Sequence, residues 1–216
     1  MEIKFLGHSS FRIKGKAVTV VTDPFDAYVG FKFPKVEADI ITISHGHQDH
    51  NQKQLVGGRP YVINGPGEYE IKGVSVLGLQ TFHDEVQGQK RGVNIVYRIE
   101  LEGISLSHLG DLGHPLSAGQ LGELNGVDVL FIPVGGVYTI GPKIAVEVIS
   151  QIEPKIVVPM HYQVPEQKGS ETFARLTGVK EFLKEIGEQV TPQPKLLVSQ
   201  DRLPAEREVL VLERVK

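Results

Sequence analysis

The chain has 216 residues, 40% of them hydrophobic and 23% charged, enough for one packed domain of ordinary soluble composition. Zero cysteines exclude disulfides, thiolate ligands and a cysteine nucleophile, and they fit a cytoplasmic setting. A net charge of −3 gives no general attraction to phosphate backbones, and no apolar run approaches the roughly 20 residues of a bilayer span. The opening MEIKFLGHSS lacks the charged-then-apolar pattern of an export signal, so neither membrane nor nucleic acid is an expected partner.

Short β-branched runs broken by Gly, Pro and Asn dominate the first half, the pattern of strands and turns. EIKFL (2–6), SFRIK (10–14) and AVTVVTD (17–23) predict an opening meander with a tight turn at Gly15 and Lys16. ADIITIS (38–44) is almost wholly apolar and reads as a strand covered on both faces. Further strands are expected at 60–64, 68–72, 74–79, 93–100 and 103–108. Helical spacing enters after Pro115, where Ser117 offers an N-cap, and again at Gly141–Pro142, a proline suited to a first helical turn. A third helical stretch opens at Ser170, with a break at Gly178. Apolar runs at 127–134 and 155–160 read as buried strands between these helices, and REVLVLE (207–213) closes the chain. The economical arrangement is two sheets face to face with helices outside, in a single domain spanning 1–216.

ISHGHQDHN (43–51) brings three of the chain's eight histidines together as His45, His47 and His50, with Asp49 among them. The segment follows an apolar strand, and residues at the carboxyl end of such a strand emerge where ligands bind. Ser44 and Gly46 leave room around a metal. A hydrolytic metal site also wants further imidazoles, a carboxylate to bridge ions and an open position for water. His83 in LQTFHDE, Asp111 in SLSHLGDLGH and His161 in VVPMHYQ each end an expected strand, as one metal-bearing rim requires. Gly110 lets the backbone approach closely and leaves the Asp111 carboxylate projecting.

In this order, SHGHQDHN, TFHDE, HLGDLGH and PMHY resemble the metallo-β-lactamase superfamily. FLGHSSFRI, TDPF and PVGGVYTIGP are similar to its compact bacterial and archaeal group of Zn-dependent hydrolases, related to ascorbate-6-phosphate lactonase. The likeness runs over about residues 2–165 and implies an α+β, four-layer αββα sandwich with a dinuclear site at one edge. It implies that His45 and His47 bind one ion with a third histidine, that Asp49, His50 and His161 bind a second, and that Asp111 bridges them. His83 and His108 are the candidates for the third histidine; family spacing favours His83 and places His108 behind the ligands. Two divalent ions follow, zinc first, with manganese or iron as alternatives. His47 stands where the oxygen-reducing di-iron branch resembles glutamate, which favours hydrolysis over redox chemistry.

Around these ligands, His8 and Asp23 are expected to lean on a ligand or on each other through hydrogen bonds, and His114 to lie at the surface. Phe25, Tyr28, Phe31 and Phe33 sit on a loop beside the site, as an apolar flap or a covered sheet edge. Tyr138 is placed to donate to an oxyanion, and the amino end of the Gly141–Pro142 helix to hold a phosphate. Lys32, Lys35, Lys90 and Arg91 are the basic candidates for an anionic group. The expectation is a hydrolase in which Asp49 orients a water shared by two ions, for attack on a small-molecule ester, lactone or phosphoester. A nuclease of the same superfamily and a metal-binding module without turnover are the alternatives.

Overall fold

The computed structural model describes residues 1–167 and 170–215. In chain order its first strands are β1 (Glu2–Gly7), β2 (Ser10–Lys14), β3 (Thr19–Thr22), β4 (Glu37–Thr42) and β5 (Gly57–Ile63). Then come β6 (Gly67–Ile71), β7 (Val74–Phe82), β8 (Val93–Leu101), β9 (Ile104–His108) and helix α1 (Ala118–Glu123). The chain continues through β10 (Val129–Pro133), α2 (Pro142–Ile152), β11 (Ile156–Met160), α3 (Val179–Ile186), β12 (Leu196–Leu197) and β13 (Glu208–Val209). One sheet is ordered β12-β1-β2-β3-β4-β5 and the other β13-β11-β10-β9-β8-β7-β6, giving the expected α+β sandwich. Among the described residues no helix is long and apolar enough to cross a membrane.

Alternation along the strands explains the core. Val20 and Ile40 point into the cluster shared with the second sheet, while Val21 and Ile41 turn the other way and join Leu6, Ile43 and Val56. Both faces of β4 are therefore apolar, which accounts for its unbroken hydrophobic run. On the second sheet α2 presents Ala145, Val148, Ile149 and Ile152, spaced as one helical stripe, to the main cluster. Truncating buried Ile149 to alanine would cost about 2–5 kcal/mol.

The helix starts follow their local chemistry. Ser117 and Gln120 form a reciprocal capping box on α1, and Pro142 occupies the first turn of α2. The helix expected from Ser170 does not form. That segment holds one 3-10 turn, Phe173–Arg175, and α3 begins only after Gly178. Leu176 and Gly178 are extended (ψ 146° and 165°), and Phe173 and Leu176 bury against Phe25 and Val29 instead. The closing strand is also shorter than expected. Only Glu208 and Val209 pair with β11, after which Leu212 and Arg214 form bridges to Gln193 and Phe5, carrying the tail toward β1.

Strand direction sets up the site. β2 is antiparallel to β1 and β3, and β4 is parallel to β3, so β1, β3 and β4 share a direction. By the same reasoning β7, β9, β10 and β11 share theirs. Their carboxyl ends meet at one rim, where the sheets are joined by hydrogen bonds. His161 N–H donates to His8 O at 2.8 Å, Ile95 N–H to Ser44 O at 2.8 Å, and Tyr97 Oη–H to Ile43 O at 2.9 Å.

Candidate metal centre

His8 follows β1, Asp23 follows β3 and the 45–50 segment follows β4, while His83, Asp111 and His161 follow β7, β9 and β11. Their side chains converge on one carboxylate. Asp111 Oδ2 lies 3.2 Å from His161 Nε2, 3.3 Å from His83 Nε2, 3.4 Å from His50 Nε2 and 4.0 Å from His45 Nε2. Ligand atoms within 4.8 Å of one another form three groups that could hold a metal: His45, His47 and His83; His45, His50 and Asp111; and His8, Asp49, His50 and His161.

The backbone is bent to achieve this. His8 (φ 56°), Asp23 (φ 38°) and His161 (φ 52°) are left-handed without being glycine, a conformation costing about 1–3 kcal/mol each. Gly110 (φ 55°) turns the chain into Asp111, and a Cβ there would collide with Asn94 Oδ1 and Ser44. Buried Asn94 holds this turn: its Oδ1 accepts from Asp111 N–H at 2.8 Å, and its Nδ2 donates to Leu109 O at 2.9 Å.

Asp23 fixes two imidazoles at once. His50 Nδ1–H donates to Asp23 Oδ2 at 2.9 Å, and Ser44 Oγ–H donates to the same oxygen at 2.5 Å. Ser44 Oγ in turn lies 2.9 Å from His45 Nδ1, so the hydroxyl accepts from that ring. Both rings thereby turn Nε2 toward the cluster, the nitrogen a metal would take once His50 gave up its second proton. Of the two contacts open to His8, a candidate ligand or Asp23, the one with Asp23 is not made. His8 Nε2–H instead donates to Asp49 Oδ2 at 3.1 Å, because the turn after β1 aims its ring across the rim.

His83 is carried by a loop wound around Asp84. The Asp84 carboxylate accepts from the backbone N–H groups of Val86, Gly88, Lys90 and Arg91 at 2.7–2.9 Å. Desolvation pushes this carboxyl up, but the N–H bonds outweigh it and bring its pKa down to about 2. His108 stands apart from the ligand groups, with Nε2–H donating to Ser9 O at 2.7 Å and Nδ1 accepting from Gly110 N–H at 3.2 Å. His114 is half-buried and structural: its Nε2 accepts from Phe82 N–H at 3.1 Å.

Burial lowers His45 and His83 below the ordinary imidazole range, and burial together with the charge of His161 brings His8 down to about 4. His50 behaves oppositely. Burial would lower it, but Asp111 and Asp49 hold it well above the ordinary value. Asp111 sits well below the usual carboxylate range, since His161 and His50 outweigh its burial. Asp49 is lowered too, as the charge of His50 and the His8 hydrogen bond overcome desolvation. Buried His45 Nε2, His50 Nε2 and Asp111 Oδ1 have no hydrogen-bond partner among the described residues. Buried polar atoms are rarely left so, and neutral imidazoles around carboxylates are the donor set of a divalent cation. The residues fit a metal, whose binding would displace the His50 proton.

A cleft of about 370 Å³ opens over this cluster, lined by His47, Asp49, His83, Asp111 and His161. Tyr28, Arg91, Tyr138 and Phe173 also line it. Tyr138 thus lies along the cleft, with its Oη–H donating to Thr172 O at 3.3 Å. Phe31 does not: it packs edge-on against Phe25 at 5.3 Å, with the Arg214 guanidinium 4.3 Å from its ring centroid, in the space left by the missing side chain of Gly7. The 25–35 loop is part flap and part core, with Tyr28 49% exposed at the cleft and Phe25 and Val29 fully buried. Lys32, Lys35, Lys90 and the amino end of α2 are not in the lining; Arg91 is. In the sequence Ser44 reads only as a spacer, and Asp84 and Asn94 do not stand out. The available signals were an Asp preceding Gly88 and Gly92, typical turn chemistry, and one amide inside apolar β8.

A family model for the β-lactamase superfamily domain matches residues 2–161. The chain is 30% identical over 210 residues to a UPF0173 metal-dependent hydrolase from Thermococcus onnurineus, covering 83% of this chain and 93% of that one. A solved structure from Thermotoga maritima, assigned as a Zn-dependent hydrolase of the metallo-β-lactamase superfamily, matches with a TM-score of 0.81 and 40% identity over 99% of both chains. The metallo hydrolase Igni18 from Ignicoccus hospitalis shares the fold at a TM-score of 0.63 and 22% identity, over 86% of this chain and 90% of that one. With the histidine–aspartate rim and the two-sheet sandwich, these likenesses mean that the chain belongs to the metallo-β-lactamase superfamily and, within it, to the UPF0173 metal-dependent hydrolases.

Proposed function

We propose that the protein is a dinuclear metal-dependent hydrolase acting on a small-molecule ester, lactone or phosphoester. The observation that carries this reading is the ring of imidazole Nε2 atoms 3.2–4.0 Å from Asp111 Oδ2. His45, His47 and His83 would hold one ion, Asp49, His50 and His161 the other, and Asp111 would serve both. When bound, such a pair supplies Lewis acidity and brings the pKa of a water toward neutrality. Zinc suits imidazole and carboxylate donors best, with manganese or iron as alternatives.

The chain's own residues do the rest. Asp49, steadied by His8, orients the attacking water through its carboxylate. Its lowered pKa makes it a weak base, so positioning outweighs proton uptake in its role. Asp23, through His50 and Ser44, keeps two rings in the ligating tautomer. A small-molecule substrate is favoured over a nucleic acid, because among the described residues lining the cleft Arg91 is the only Lys or Arg. A metal store without turnover is disfavoured by the open cleft above a full set of donors. The absence of cysteine supports a cytoplasmic setting.

The test is metal analysis of protein purified without added metal, joined to a hydrolysis screen over lactones, phosphodiesters and thioesters. Two equivalents with turnover, and loss of turnover but not of most metal in Asp49→Ala, is the expected result. Two equivalents with no turnover on any class would overturn the hydrolase reading.

A further inference from the structure

We infer that Arg91 selects substrates that carry a second, non-reacting oxyanion, a carboxylate or a phosphate, beside the bond to be broken; this rests on the hydrolase reading above. The guanidinium is placed but not neutralised. Its Nη2 donates to Val137 O at 3.1 Å and its carbon lies 5.7 Å from the Tyr138 ring centroid, with no acidic side chain paired to it among the described residues. One hydrogen bond leaves most of the fork's N–H donors available, and that fork matches carboxylate and phosphate two bonds at a time.

The backbone at this position is tethered. Arg91 N–H donates to Asp84 Oδ2 at 2.7 Å, so the carboxylate that shapes the His83 loop also fixes where Arg91 leaves the backbone. The same cleft carries an aromatic wall, with the Tyr28 and Phe173 rings edge to face at 5.4 Å. Thr172 ties it together: its Oγ1 lies 3.2 Å from Tyr28 Oη, and its carbonyl accepts from Tyr138 Oη–H at 3.3 Å.

Arg91 belongs to none of the groups that could hold a metal, yet it lines the same cleft. A substrate group bound there is therefore distinct from the group reacting over Asp111. At about 370 Å³ the cleft is at the small end for ligand sites, which suits a compact molecule with an anionic tail and a short apolar body.

The test compares metal-loaded wild type, Arg91→Gln, Arg91→Lys and the control Lys90→Gln on matched esters. The esters are the p-nitrophenyl half-ester of glutarate, its methyl-capped neutral counterpart and p-nitrophenyl 4-phosphonobutyrate; the two anionic arms separate carboxylate from phosphate. The expected result is an anionic-over-neutral preference in kcat/KM of about 10- to 100-fold, carried by KM, lost in Arg91→Gln, partly kept in Arg91→Lys and intact in Lys90→Gln. Calorimetric binding of glutaramate against glutaramide supplies a readout free of turnover, and Arg91→Gln should erase the difference. Arg91→Lys, which retains the charge, serves the same comparison if Arg91→Gln melts early. Turnover with the same preference in wild type and Arg91→Gln, or an equal fall in kcat on anionic and neutral esters, overturns the inference and leaves the hydrolase reading standing. No ester turnover, with Arg91-dependent glutaramate binding, supports the inference and counts against the hydrolase reading.

Discussion

The two sets of potential metal donors at the rim are made of the same chemistry but held differently. In the His45–His47–His83 set, His47 is exposed and His83 rides on a loop shaped by Asp84. In the Asp49–His50–His161 set, His50 and His161 are at most 1% exposed, Asp49 is gripped by His8, and His50 by Asp23. Outer hydrogen bonds, more than the ligands themselves, decide how firmly each set is prepared for an ion. The sealed set should hold its ion tightly, and the open set should exchange.

On the proposed dinuclear reading, the largest effect should come from Asp111, the carboxylate that would serve both sets. Asp111→Asn is expected to lower metal content at both positions and turnover by on the order of 10³-fold or more, read by elemental analysis and steady-state kinetics. If that variant kept two ions, the shared role of Asp111 would be refuted. His8→Ala should weaken the sealed set alone, by roughly 10- to 100-fold in a chelator titration. Wild type in the same titration should lose its metal in two steps about tenfold apart, the open set first; a single step would erase the contrast.

Asp84→Asn probes the open set from behind. It should speed amide exchange at Val86, Gly88, Lys90 and Arg91 and weaken only the first-released ion, by a few-fold. The smallest effect belongs to Asp39, six positions before His45, or about 20 Å along an extended strand. The hydrogen bond from Lys72, with Thr19 N–H, holds its carboxyl below the ordinary range. Its stabilisation is thus complete above the unfolded value near 3.9 and lost as pH falls through the lower folded one. Asp39→Asn should remove that acid-sensitive part, about 0.5 kcal/mol or less in a half-exposed pair, and leave metal content alone.

The strands of the sandwich were legible because apolar runs such as 155–160 are buried, and the candidate donors because His45, His47, Asp49 and His50 crowd into six positions after one such strand. Partnerships across the chain were not legible. Ser44 and Asp23 meet 21 positions apart, and His108 finds Ser9 across 99. The register of β9 sets His108 opposite Tyr97 and Phe131, inside the core, which spacing along one strand cannot reveal. The Ser170 helix failed for a similar reason: Phe173 and Leu176 answer to Phe25 and Val29, residues far away in sequence.

Each potential metal group draws on both sheets: His83 against His45 and His47, Asp111 against His45 and His50, and His161 against His8, Asp49 and His50. Ions seated there would act as rivets through the sandwich, so chelation should reach beyond the cleft and loosen the grip of one half of the protein on the other. Melting temperature would then rise with free metal by simple mass action, and the thermal transition would report how full the rim is.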